Sequence, residues 1–148
     1  MNTTTEQNKR LVLEAFDVLF NKRHYDAAKR YWSPNYIQHS AHIEPGRDGL
    51  FNLVRSAPPT LKYEPGLIVA EGDYVIVHGR FSGRCSSVNW IAADILRIEN
   101  GVFQEHWACG TLPGRYLPMV SAIDSVVRRR MRSPLRCEAP HTEPFTRK

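Results

Sequence analysis

The chain lacks any apolar run near the roughly 20 residues that cross a bilayer as a helix, which argues against a membrane-spanning protein. Its nine glycines are scattered singly, with no Gly-rich loop to cradle a phosphate, so a nucleotide cofactor has no support. The three cysteines, Cys85, Cys109 and Cys137, are odd in number and without CxxC spacing. They read as reduced thiols rather than a disulfide framework. The N-terminus, MNTTTEQNKR, has no apolar secretory stretch, and a cytoplasmic location is expected. No HExxH occurs, and His39 with His42 offers only HxxH, too few ligands for tetrahedral zinc. Neither a metal nor an organic cofactor is expected.

A net charge of +5 suggests nucleic acid until it is located along the chain. Residues 1–110 carry 12 basic and 12 acidic side chains, whereas residues 111–148 carry 8 and 3. The excess belongs to a tail that also holds half of the ten prolines and the run Arg128-Arg129-Arg130. No aromatic residues alternate with those arginines as stacking platforms would, which argues against nucleic acid as a partner. The 148 residues therefore divide into one domain, 1–110, and a basic, proline-rich tail, 111–148, expected to be poorly ordered beyond Ser133.

What is present is helical first and extended afterwards, an α+β order. Residues 5–20 carry an apolar stripe (Leu11, Val12, Ala15, Phe16, Leu19, Phe20), and Thr4 with Gln7 has capping-box spacing. A second helix is expected over residues 25–32, stopped at Ser33-Pro34, then a short strand over residues 35–39. A third helix over residues 47–56 ends at Pro58-Pro59. Strands follow at 61–64 and 67–70, broken by Pro65-Gly66 as an edge or a bulge would be, and at 74–81 and 88–99.

The central stretch is Ala92–Trp107, two antiparallel strands joined at Asn100-Gly101, whose residues both tolerate positive φ. A regular two-residue hairpin pairs Arg97 with Gln104, Ile95 with His106 and Asp94 with Trp107. That places His106, Gln104, Arg97 and Ile95 on one face and puts Asp94 on the other, as a structural carboxylate. His106 is the leading candidate for chemistry, followed by His39. Tyr36, Gln38, His78, Gln104 and Arg97 are candidate substrate-binding groups. Trp90, Phe103 and Trp107 are expected in core or dimer contacts.

The residues Tyr36-Ile37-Gln38-His39, Ala70-Glu71-Gly72-Asp73, and Asp94-Ile95-Leu96-Arg97-Ile98-Glu99-Asn100-Gly101 followed by Glu105-His106-Trp107 together resemble the SnoaL-like polyketide cyclase family of the nuclear transport factor 2-like superfamily. The resemblance covers about residues 6–107. It implies a cone-shaped, strongly curved antiparallel sheet wrapped around N-terminal helices, an internal cavity, and a homodimer formed across the sheet. It also implies a cofactor-independent cyclase or isomerase that works by general acid–base chemistry on a small apolar carbonyl compound. The family's histidine matches His106; His39 is a second donor or base from its own predicted strand position. The family's aspartate base matches Ala108, which takes no proton. A catalytically silent ligand-binding or dimerisation module of the same fold is the alternative expectation.

Overall fold

Thr4 and Gln7 form the expected reciprocal cap: Gln7 N donates to Thr4 Oγ1 at 3.2 Å and Thr4 N to Gln7 Oε1 at 2.8 Å. Helix α1 (Thr5–Phe16) starts there and buries Val12, Ala15 and Phe16. The structure, a computed structural model, describes residues 3–83 and 89–111. Cys85, Cys137 and the tail from residue 112 onward lie outside the described residues, and with them the expectation made for that tail.

The first helix does not run regularly to residue 20. Over Asp17–Asn21 it widens to π geometry, which buries the consecutive Val18, Leu19 and Phe20. The widened turn delivers the Asn21 amide to an extended segment: Tyr63 N donates to Asn21 Oδ1 at 2.8 Å, and Asn21 Nδ2 donates to Tyr63 O at 3.1 Å.

Helix α2 (Tyr25–Ala28) tightens through one 3-10 turn, Lys29–Tyr31, into strand β1 (Trp32–Gln38). The strand begins three residues earlier than Ser33-Pro34 suggested. β1 is an edge strand, where the missing N–H of Pro34 costs no ladder bond. Helix α3 (Gly46–Ser56) follows and buries Leu50, Phe51 and Val54. The remaining strands are β2 (Lys62–Glu71), β3 (Tyr74–Ser82), β4 (Trp90–Glu99) and β5 (Val102–Thr111).

The sheet order is β1-β5-β4-β3-β2. It is curved and unclosed, and mixed rather than wholly antiparallel, because β1 runs parallel to β5. The ladder between β2 and β3 shifts between Pro65 and Ile68, so Pro65-Gly66 marks both an edge strand and an irregularity.

The helices cover one face of the sheet, and that inner face is largely aromatic. Trp32 packs edge-on against Phe51 (5.4 Å between ring centroids) and Phe103 (4.8 Å). Tyr63 lies 5.2 Å from Phe16 and 4.7 Å from Phe81. Such pairs add about 0.5–1.5 kcal/mol each beyond the area they bury. Along β3 the alternation is clean: Val75, Val77, Gly79 and Phe81 face in, while Tyr74, Ile76, His78 and Arg80 face out. Among the described residues no helix is long and apolar enough to cross a membrane.

Candidate functional site

The β4–β5 hairpin turns at Asn100 and Gly101, both at positive φ (52° and 76°), as Asn-Gly favours. Glu99 pairs with Val102 and Ile98 with Phe103, the register of a regular hairpin. The next pair is Arg97 with Glu105, so Gln104 is an extra residue on β5, a β-bulge. Beyond it Leu96 faces His106, Ile95 faces Trp107 and Asp94 faces Ala108.

That one residue overturns the expected separation of Asp94 from His106. The shift turns His106 to the inner face, where β4 already places Ala92, Asp94, Leu96 and Ile98. His106 Nε2 donates to Asp94 Oδ1 at 2.8 Å, and each side chain is only 5% exposed.

A second partner arrives from β1, whose Gln38 is in register with His106. Gln38 Nε2 lies 3.0 Å from His106 Nδ1 and 3.1 Å from the Tyr36 hydroxyl. The chain then turns at Ser40, whose backbone N–H donates to Gln38 Oε1 at 3.0 Å. The hydroxyl of Ser40 accepts from Ala108 N at 2.9 Å, tying this turn to β5.

Around this row are two buried polar atoms that complete no hydrogen bond among the described residues, Asp94 Oδ2 and Tyr63 Oη, and the Trp32 indole N–H, which lies against the Tyr36 hydroxyl. Burial pushes the Tyr36 phenol far above its usual value; a hydrogen bond from the Trp32 indole opposes that shift and the Asp94 charge adds to it. Tyr63 is raised by burial first and by the Asp94 charge second. Both phenols therefore stay protonated and can donate. The combination is a buried carboxylate with one oxygen unused, two phenols and an indole N–H, enclosed by aromatic rings.

The structure thus brings Tyr36, Gln38 and His106 together and separates them from the other candidates. His39 faces the opposite side of the sheet, stacked on Trp107 at 4.3 Å with ring planes 3° apart, and its Nε2 meets Glu105 Oε2 at 2.8 Å. Arg97 is on that outer side too, donating to Glu105 Oε1 at 2.6 Å and to Glu99 Oε2 at 3.2 Å. His78 also faces out and lines an open hollow of about 320 Å³ with Glu64, Arg80 and Ile91, at the β2 irregularity. Gln104 is the bulge residue.

Asp94, Tyr63, Trp32 and Ser40 were not expected at this site. For Asp94 a signal exists within β4 alone: Ala92, Leu96 and Ile98 are the apolar alternate set, and Asp94 shares their parity whatever β5 does. Among the described residues no group of three or more His, Cys, Asp or Glu side chains converges as a metal site.

The SnoaL-like domain family matches residues 12–106, well over half of the chain. A search of curated proteins finds no match. Solved structures with the same fold include AclR from Streptomyces galilaeus, a proposed hydroxylase, with 22% identity and a TM-score of 0.61, covering 73% of this chain and 91% of that one. IdmH from Streptomyces antibioticus, a proposed polyketide cyclase, shows 18% identity and a TM-score of 0.59, with 70% and 91% covered. A proposed ketosteroid isomerase from Kribbella flavida shows 15% identity and a TM-score of 0.61, with 88% and 94% covered. Three reactions are named on one fold, so the likeness establishes architecture and leaves chemistry to the site.

Proposed function

The chain belongs to the SnoaL-like domain family, and from that premise we propose that it is a cofactor-independent cyclase or isomerase acting on a small, apolar carbonyl compound. The observation that carries this reading is Asp94 Oδ2, a buried carboxylate oxygen with no partner among the described residues. Asp94 is the base: Oδ2 takes a proton from the carbon next to the carbonyl, and the C–H electron pair becomes the enolate. Tyr63 Oη–H, equally unpartnered among the described residues, donates to the enolate oxygen. His106 holds Oδ1 and so aims Oδ2. The enolate carbon then either attacks a second carbonyl within the same molecule, whose oxygen becomes an alkoxide and takes the proton back from Asp94, or takes that proton itself at another carbon.

Ala108 at the family's usual base position favours a silent binding module as the second reading. Ala108, however, pairs directly with Asp94 across the β4–β5 ladder. The required carboxylate therefore occupies the adjacent position on the same face, one strand away. A cavity for substrate between this row and the helices, and a homodimer across the outer face, belong to the same proposal. Ile37, Leu67, Val69, Tyr74 and Ile76 are apolar and exposed on that sheet, the kind of surface a second copy covers.

The test is deuterium uptake at the α-carbon of 1-tetralone and 2-tetralone in D2O, followed by proton NMR. The native chain is expected to accelerate exchange, and Asp94→Asn to lower the rate by about 10²–10⁴-fold, the usual contribution of a positioned base. Exchange that survives Asp94→Asn removes Asp94 from the mechanism. No acceleration by the native chain favours the binding module.

A further inference from the structure

Gln38 does more than border the site, because its amide can point only one way. Ser40 N–H is solely a donor, so the Gln38 atom that meets it at 3.0 Å is the carbonyl oxygen. Ser40 is itself fixed: it is buried, its hydroxyl accepts from Ala108 N at 2.9 Å, and its carbonyl accepts from Ile43 N at 3.0 Å. The other end of the amide is therefore NH2, with its two hydrogens directed at the Tyr36 hydroxyl and His106 Nδ1.

We propose that Gln38 is a positioning residue that holds His106 as the neutral tautomer protonated on Nε2 and keeps a second proton off the ring. Nδ1 must offer its lone pair to Gln38. A proton there sets N–H against N–H across 3.0 Å. The single ring proton then sits on Nε2 and goes to Asp94 Oδ1. Donation runs in one direction, from Ser40 N–H through Gln38 and His106 to Asp94. Gln38 also spends the Tyr36 oxygen as an acceptor, which turns the Tyr36 O–H outward from the amide as a donor.

The consequence is a charged carboxylate beside a neutral imidazole, rather than an ion pair. A neutral neighbour gives the carboxylate a hydrogen bond only, whereas an imidazolium at 2.8 Å would set a full opposite charge against it as well. This consequence for catalysis rests on the proton-abstraction reading above; the tautomer does not.

The experiment is long-range proton–nitrogen NMR on the full chain with ¹⁵N-labelled histidine at pH 7, the ring of interest identified by its loss in His106→Gln. The native ring is expected to show a protonated Nε2 and a bare Nδ1. Gln38→Glu replaces the donor with an acceptor, and both ring nitrogens are expected to carry protons. A native ring protonated on Nδ1, or on both nitrogens, overturns the proposal whether or not any variant folds. An unchanged ring in a folded Gln38→Glu protein overturns it as well. In the tetralone assay Gln38→Glu is expected to slow exchange at least tenfold, while Gln38→Asn keeps the polarity and loses less. If the native chain catalyses no exchange, the catalytic reading fails and the nitrogen spectrum still decides the tautomer.

Discussion

His106 Nε2 and Asp94 Oδ1 stand 2.8 Å apart across the β4–β5 ladder, with both side chains closed off from water. Removing one member of such a pair leaves the other buried without its partner, which costs more than the pair itself contributes. His106→Ala takes away the hydrogen bond that Asp94 Oδ1 receives and is expected to destabilise by about 3 kcal/mol, the upper end for a buried group left unsatisfied. Asp94→Asn keeps an oxygen to accept the Nε2 proton, with an expected loss of about 1–3 kcal/mol. The double variant Asp94→Ala/His106→Ala should lose clearly less than the sum of the two alanine variants in urea unfolding. Strict additivity would mean that the two side chains do not interact in solution.

The relationship depends on Gln104 being a surplus residue, and deleting it provides a direct test. With Phe103 paired to Ile98 and Glu105 to Arg97, deletion makes the ladder regular and leaves every residue from Glu105 onward facing as before. The deletion variant should fold and lose less stability than Phe103→Ala, for which about 3–5 kcal/mol is expected. Without a bulge, the same deletion would reverse the facing of every residue from Glu105 to Gly110 and expose His106. A deletion variant that fails to fold argues for that regular ladder.

Local signals in the sequence were sufficient for most elements and insufficient for the site. The Thr4–Gln7 cap, the Asn100-Gly101 turn and the Val75–Phe81 alternation each depend on residues close in the chain, and the structure shows all three. The bulge has no such marker. Gln104 is neither a glycine nor a proline, and what favours its extra position is tertiary: with it, His106 meets Asp94 and Gln38. The parallel pairing of β1 with β5 is equally non-local, joining residues 32–38 to residues 103–106. His39 stood second to His106 as a candidate because strand parity says which residues share a face and not which face the helices cover.

Tyr36 and Tyr63 make the molecule sensitive to alkali. Burial, with help from the Asp94 charge, raises both phenols above the ordinary value of 10.0. The unfolded chain loses these protons first as pH rises, so the folded state holds more protons and loses stability with increasing pH. The contribution is complete below about pH 10 and declines above it. Ultraviolet titration should show Tyr36 and Tyr63, of the six tyrosines, ionising only together with unfolding. In Tyr36→Phe/Tyr63→Phe the alkaline loss of stability should be smaller. Free, reversible ionisation of both near pH 10 in the folded protein would contradict their burial against Asp94.

Gly79 is small because Tyr63 passes over it. A Cβ added at Gly79 would lie 2.4 Å from Tyr63 Oη and 2.5 Å and 2.6 Å from its ring carbons, distances that real contacts do not reach. The ring has little room to yield, since Phe16 and Phe81 pack against it at 5.2 Å and 4.7 Å between centroids. Gly79→Ala should therefore destabilise by about 1–3 kcal/mol, the usual cost of overpacking, although alanine suits a strand better than glycine. Tyr63→Leu shortens the side chain that crosses Gly79, so in that background the same substitution should cost much less. Chemical denaturation of the four proteins measures the coupling. An alanine at position 79 that stabilises the native chain would place the Tyr63 phenol elsewhere and remove it as the donor proposed for the enolate.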